Sequence, residues 1–225
     1  MNQGFDRVAC HQQLQAGLRQ LGLSISEAGT GKLLDYLALL TKWNKVYNLT
    51  AVREPQRMVT QHLLDSLAAV PAVADSKRLL DVGSGGGLPG IVFAIWAQDA
   101  GSPMRLTLVD TVAKKTAFLT QVKAQLGLDN LTVLTARVEK LPSTEQYDVI
   151  TSRAFAELAD FINWSAQLLA PAGRFVALKG VLPTGEIDKL PWGWKLSKVQ
   201  ALQVPGLDAQ RHIIEIRRAD PEVPA

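Results

Sequence analysis

The stretch LLDVGSGGGLPG, residues 79–90, sets one acid and five glycines behind an aliphatic pair. Leu79, Leu80, Asp81 and Val82 read as a buried strand that stops abruptly, because glycine reaches dihedrals closed to other residues and lets backbone approach a ligand closely. LPGIVFAIWA, residues 88–97, then regains a helical pattern, with Pro89 suited to a first turn where its missing N–H costs nothing. The unit is therefore strand, glycine turn, helix, with a ligand expected where the strand ends.

Two nucleotide-binding classes use such a unit. Gly85, Gly87 and Gly90 satisfy G-x-G-x-x-G, which seats a pyrophosphate on a helix N-terminus. Asp81, two residues before Gly83, extends the pattern to D-x-G-x-G-x-G. An acid there is unhelpful to a doubly charged pyrophosphate but useful for ordering a loop around a cation such as the sulfonium of S-adenosylmethionine. A glycine-rich loop without a ligand is the bland alternative.

The remaining composition bounds the answer. A chain of 225 residues buries one good core, and 47% hydrophobic content marks it as globular. No apolar run reaches membrane-span length, and MNQGFDRVACHQQLQ lacks the layout of a signal peptide, so a cytoplasmic, membrane-free protein is expected. A single cysteine, Cys10, and three scattered histidines give neither an internal disulfide nor a metal site. A net charge of +3 permits nucleic acid as a partner without demanding it.

Outward from the glycine turn, the pattern divides. The first third predicts helices: FDRVACHQQLQAGLRQLG closed by Gly22, a second capped by Ser26 with Leu33, Leu37, Leu40 and Trp43 on one face, and a third over QRMVTQHLLDSLAAV. From residue 78 strands and helices alternate. RLTLVD, LTVLTA, YDVITSRAF and RFVALKG follow the first strand, with helices over AKKTAFLTQVKAQLG and ELADFINWSAQLLAPAG between them. WKLSKVQALQV and QRHIIEIRR then read as an antiparallel pair. The expectation is a Rossmann-like α/β fold of the class I methyltransferase type, with a mostly parallel seven-stranded sheet and helices on both faces. Residues 1–75 form an N-terminal helical extension, 76–218 the Rossmann-like domain and 219–225 a loose tail. No apolar edge or heptad demands a partner, so a monomer is expected.

Ligands of open parallel sheets bind outside the strands' carboxyl ends. Asp110 ends the second strand about twenty residues past Gly90, where a carboxylate takes ribose hydroxyls in either nucleotide reading; a helix N-cap ahead of TVAKK is its plain alternative. Val138 and Glu139 in ARVEKL face the same crevice and can flank an adenine. Arg153, in SRAFAEL, stands where a catalytic residue of this fold would stand; it is no base, but it can clamp a phosphate or a methionine carboxylate. Lys114, Lys115 and Lys179, and less clearly Lys198, are candidate RNA-phosphate contacts. Trp43, Tyr47 and Phe155 are candidate stacking residues, with core packing favoured for Trp43. His62 and Asp65, one helical turn apart, can form a hydrogen-bonded pair that pins the N-terminal helices, or can edge the transfer site.

In order along the chain, WNKVYNLTAV, HLLDSL, LLDVGSGGGLPGIVFAI, LVDTVAKKTAFL, ARVEKL, VITSRAFAEL and ALKG resemble the ribosomal RNA small subunit methyltransferase G family, also called glucose-inhibited division protein B. The resemblance runs from about residue 26 to residue 217. It implies a bacterial cytoplasmic enzyme that transfers the methyl of S-adenosyl-L-methionine to N7 of a guanine in 16S ribosomal RNA of the small subunit. It also implies a cofactor site at Gly83 and Leu88, with Gly85 in the same turn, and at Val138, Glu139 and Arg153. Thr111 departs from an expected serine but keeps the hydroxyl.

The residues agree with an N7 target. The place after the fourth strand reads SRAF rather than the Asn/Asp-Pro-Pro-aromatic stretch common in amine methylation, and Cys10 lies far from every sheet loop, against thiolate-dependent attack on a pyrimidine. Guanine N7 loses no proton on methylation and needs no general base. An NAD(P)-dependent oxidoreductase and a non-catalytic adenosine- or RNA-binding module remain the alternatives; the first lacks a Tyr-x-x-x-Lys pair.

Overall fold

The computed structural model describes residues 5–219. Two long helices open the chain. Helix α1 (Arg7–Leu21) starts at Asp6, whose carboxylate accepts from the Ala9 amide, and ends at Gly22 with φ +65°. Helix α2 (Glu27–Tyr47) starts at Ser26, whose hydroxyl accepts from the Gly29 amide, and ends at Asn48, also left-handed at φ +49°. Asp99 of α5 (Gly90–Asp99) takes both the amide and the hydroxyl of Ser26, tying this cap to the sheet's first helix.

The expected third helix is a composite: α3 (Pro55–Met58), a π-helical stretch Val59–Leu64, then α4 (Asp65–Leu67). A widened turn leaves a carbonyl free for an outside donor. Here Arg153 reaches the Gln61 carbonyl at 3.2 Å.

The sheet carries the order β3-β2-β1-β4-β5-β7-β6. Its strands are β1 (Arg78–Val82), β2 (Arg105–Asp110), β3 (Leu131–Thr135), β4 (Tyr147–Arg153), β5 (Leu169–Lys179), β6 (Trp194–Ala201) and β7 (His212–Arg218). The first five pair in parallel, and β7 runs antiparallel between β5 and β6. The order reverses between β1 and β4, so a ligand crevice is expected above their carboxyl ends.

Side chains alternate across β1 as a strand requires. Leu79 joins one apolar cluster with Leu14, Leu37, Phe93 and Phe118, which binds α1, α2, α5 and α6 (Ala113–Leu126) to one face. Leu80 and Val82 join the other, with Phe161 and Ile162 of α7 (Leu158–Ser165). Asp81 shares the face of Leu79 and is wholly buried under the start of α5, its Oδ2 accepting from the Gly90 amide at 3.2 Å. A Cβ at Gly90 would lie 2.6 Å from that oxygen. Asp81 and Gly90, seven residues beyond the turn's first glycine, are thus one packing unit.

Some boundaries differ from the sequence reading. Val8 of α1 is exposed, although the apolar spacing of FDRVACHQQLQAGLRQLG sets it on one stripe with Leu14 and Leu18. The helix expected over 157–173 stops at Ser165, and Leu169 to Gly173 belong to β5, because Gly173 and Pro171 are poor helix interiors and Tyr147 of β4 pairs with Leu169. A short α8 (Thr184–Ile187) stands where no helix was expected. The tail expected from residue 219 lies, apart from Ala219, outside the described residues.

Candidate active site

Two cavities open at the carboxyl ends of β1, β2 and β4 and meet at Gly83, Lys115 and Ala154, which line both. The first, of about 380 Å³, is walled by Val82, Asp110, Thr111, Val138, Glu139 and Phe155, among others. The second, of about 550 Å³, carries more charged side chains, with His62, Asp65, Arg153, Lys179 and Arg211 facing Gly85 and Leu88.

The glycine turn holds them apart. Gly83 has φ +68°, and a Cβ there would fall 2.2 Å from the Phe155 ring, so only a bare backbone leaves room for that aromatic wall. The Gly85 amide donates to Asp110 Oδ2 at 3.0 Å, and the Val112 amide donates to Oδ1 at 2.9 Å. Asp110 therefore ties the turn to the end of β2. It is not the cap of α6, since that helix begins at Ala113 behind Val112. Oδ1 keeps a lone pair for a further donor, while the Lys115 ammonium stands 3.5 Å from Oδ2. Burial pushes Asp81 up to about 7, against donation from the Gly90 amide, and its Oδ1 has no partner among the described residues.

The charged groups of the second cavity are largely committed to one another. Asp65, nearly sealed from solvent, accepts from Arg153 Nη1 at 2.9 Å and from Arg211 Nε at 2.8 Å. Lys179 donates to Glu186 at 2.7 Å and to the Ala156 carbonyl. His62 does not pair with Asp65 as its spacing allowed: its Nε2 meets the Thr50 hydroxyl at 2.8 Å, while Asp65 serves the two arginines. The widened turn between them turns the two side chains to different partners. Burial, with Arg153 nearby, pushes His62 down to about 4, so its ring is neutral at neutral pH.

The sequence-derived candidates divide accordingly. Gly83, Asp110, Val138 and Glu139 gather in the first cavity, and Gly85, Leu88, Arg153 and Lys179 in the second; Lys115 borders both. Lys114 lines neither and lies 5.7 Å from the centre of the Tyr47 ring. Lys198 is on the exposed edge strand β6. Trp43 packs against Phe118 at 5.4 Å, in the core role expected of it. Sequence reasoning missed Arg211 and Arg137, because an arginine in a loop carries no periodic signal, and missed that Thr50 of the NLT stretch reaches His62.

The residues fit S-adenosylmethionine. A side-chain-free cradle at Gly83, a carboxylate with spare acceptor capacity at Asp110 and an apolar slot beside Val138 suit a nucleoside. The adjoining cavity, with its charged side chains, suits the amino-acid end and an acceptor. Among the described residues no cluster could hold a metal ion, and no helix is long and apolar enough to cross a membrane.

Known proteins agree with this geometry. A S-adenosylmethionine-dependent methyltransferase from Thiobacillus denitrificans, solved with S-adenosyl-L-homocysteine, superposes with a TM-score of 0.52 at 14% identity, over 80% of this chain and 97% of its own. The N-methyltransferase NodS of Bradyrhizobium japonicum, also with S-adenosyl-L-homocysteine, gives 0.54 at 13% identity over 80% and 100%. At such identities the likeness shows the fold, that of class I methyltransferases. Two relatives called ribosomal RNA small subunit methyltransferase G are far closer in sequence. That of Janthinobacterium sp. (strain Marseille) is 61% identical over 95% of this chain and 97% of its own, and that of Herminiimonas arsenicoxydans 63% identical over 95% and 98%. The family model described as rRNA small subunit methyltransferase G matches residues 30–214. On that match, and on relatives more than half identical along nearly its whole length, the chain belongs to the rRNA small subunit methyltransferase G family.

Proposed function

We propose that the protein transfers the methyl group of S-adenosyl-L-methionine to N7 of a guanine in 16S ribosomal RNA, in the bacterial cytoplasm and as a monomer. The observation that carries this reading is the meeting of two cavities at Gly83: one suits a nucleoside, and the other is lined by cations that suit an RNA strand. When bound, S-adenosyl-L-methionine supplies an electrophilic methyl on a sulfonium. Gly83, Gly85, Leu88, Asp110, Val138, Glu139 and Arg153 hold it, Asp110 taking the ribose hydroxyls on the lone pairs its two backbone donors leave free.

Base-free chemistry is supported by the second cavity. Its carboxylate, Asp65, is engaged by two arginines, and its imidazole, His62, is engaged by Thr50. Neither stands ready to remove a proton, and N7 has none to give. Catalysis is then mainly alignment of N7 with the methyl carbon, an effect worth about 7–11 kcal/mol where orientation is complete. Arg153 acts in binding more than in chemistry; Lys115 and Lys179 face the acceptor, and Lys114 stands just outside. Residues 1–75 serve as an extension of the methyltransferase domain, and those described, from Phe5 on, share one apolar cluster with the sheet.

The test is methyl transfer from labelled S-adenosylmethionine to unmodified small subunits, with mass mapping of the product. One N7-methylguanosine in 16S RNA is expected. Transfer to another atom, or none despite cofactor binding, refutes the assignment.

A further inference from the structure

Tyr47 ends α2 and is more than two-fifths exposed. One neighbour is Trp43, at 5.1 Å and tilted 37°; Trp43 in turn rests on Phe118 of α6, so the exposed ring has a rigid backing. The other is Lys114 in the first turn of α6, its ammonium 5.7 Å from the ring centre. The position is at the mouth of the second cavity. Leu49 and Thr50, two and three residues after Tyr47, line that cavity, and the Leu49 carbonyl packs against Gly86 of the glycine turn. On the other side Lys115, next to Lys114, borders both cavities.

The local charge is mostly of one sign, up to Glu54. KWNKVYNLTAVR, residues 42–53, contains Lys42, Lys45 and Arg53 and no acid. All three are exposed, and Arg53 reaches the neutral Asn48 side chain. Asn44 braces the segment by accepting from the Thr50 amide and donating to the Val52 carbonyl. A braced loop, a backed aromatic ring and surrounding cations are the elements by which proteins hold single-stranded nucleic acid: bases stack and phosphates find positive charge.

We propose that Tyr47 and Lys114 form a ledge on which a nucleotide flanking the target stacks, holding single-stranded RNA at the mouth of the acceptor cavity. This rests on the RNA-methyltransferase reading above and adds a subsite to it. Trp192 provides the contrast. It is fully exposed, but it precedes the end of β6 where Trp194 pairs with Arg218, opposite the crevice end where Lys179 pairs with His212.

Two measurements test the ledge in the full chain. The first is filter binding of a protein-free, guanine-containing single-stranded oligoribonucleotide; the second is the KM for unmodified small subunits in methyl transfer. Tyr47→Ala is expected to weaken oligoribonucleotide binding about tenfold and to raise the subunit KM in parallel, while Tyr47→Phe keeps the stacking face and the affinity. Lys114→Gln is expected to lower the log–log salt dependence of binding by about 0.7. Trp192→Ala should leave both unchanged. Melting temperature and S-adenosylmethionine affinity of Tyr47→Ala report the fold. Equal affinities for Tyr47→Ala and wild type overturn the ledge. So does a KM effect on subunits without one on the oligoribonucleotide, which would assign Tyr47 to a ribosomal protein. Absence of methyl transfer by the wild-type chain would instead overturn the activity, with the binding arm still deciding the ledge.

Discussion

Replacing Asp65 by asparagine keeps the shape of the side chain and removes its charge. The carboxylate is 4% exposed, and the two guanidiniums it holds are 21% and 27% exposed, each bonded at under 3 Å. An asparagine oxygen can satisfy one arginine; its amide then faces the other, and two positive charges remain side by side. Breaking a sealed ion pair costs about 3–5 kcal/mol. Both arginines reach water, so the expected loss is nearer 2–3 kcal/mol, roughly that of one charge-assisted hydrogen bond. For a chain of this size that corresponds to a fall in Tm of about 4–12 °C. Arg153 ends β4 and Arg211 immediately precedes β7, so releasing both should also lower S-adenosylmethionine affinity, to which Arg153 contributes, and with it methyl transfer. Calorimetry and transfer to small subunits measure the two effects. The double variant Asp65→Asn, Arg211→Gln should recover part of the Tm, because one repelling charge has gone. An Asp65→Asn protein with wild-type Tm and turnover, or a double variant whose losses simply add, would refute the reasoning.

Gly83→Ala should lose S-adenosylmethionine affinity tenfold or more by titration calorimetry, since its Cβ would drive Phe155 into the first cavity and φ +68° costs a side chain about 1–2 kcal/mol; wild-type affinity would contradict the cradle. The buried acid and imidazole should give opposite pH dependences of stability. His62 is pushed down to about 4, so the unfolded chain binds the extra proton, and its contribution is lost as pH falls from 6.5 towards 4. Asp81 is pushed up to about 7, so the folded chain binds the extra proton, and its contribution is lost as pH rises from 3.8 towards 7. Urea unfolding between pH 4 and 7 should therefore steepen downward towards acid in Asp81→Asn and downward towards neutral pH in His62→Gln; identical slopes in the two variants would exclude this account.

The parallel sheet was legible because its strands are continuous apolar runs between glycine or polar breaks, and RLTLVD maps onto β2 without a residue's error. The first cavity was legible too, since Gly83, Asp110 and Val138 sit at strand ends, whose location topology dictates. What resisted was everything set by side chains from distant segments. Sequence separations of 88 between Asp65 and Arg153, and of 146 between Asp65 and Arg211, leave no local trace of an ion-pair cluster. Nor does helical periodicity reveal a π turn, because the same apolar residues satisfy either period over so short a span. Lys179 reads as a free strand-end cation until Glu186 is seen to hold it.

The widened turn at Val59–Leu64 makes this part of the chain sensitive to length as well as to composition. Each residue of a regular helix advances the azimuth by about 100°. The widened turn holds about one residue more than an α turn over the same rotation. Closing Val59–Leu64 into a uniform α form at constant length would therefore swing Asp65 by about that angle away from Arg153 and Arg211, whereas a residue deleted from the widened turn itself would be absorbed as it closes. The ion-pair hub is thus encoded in the match between residue count and turn width, and it is most vulnerable to changes that alter one without the other.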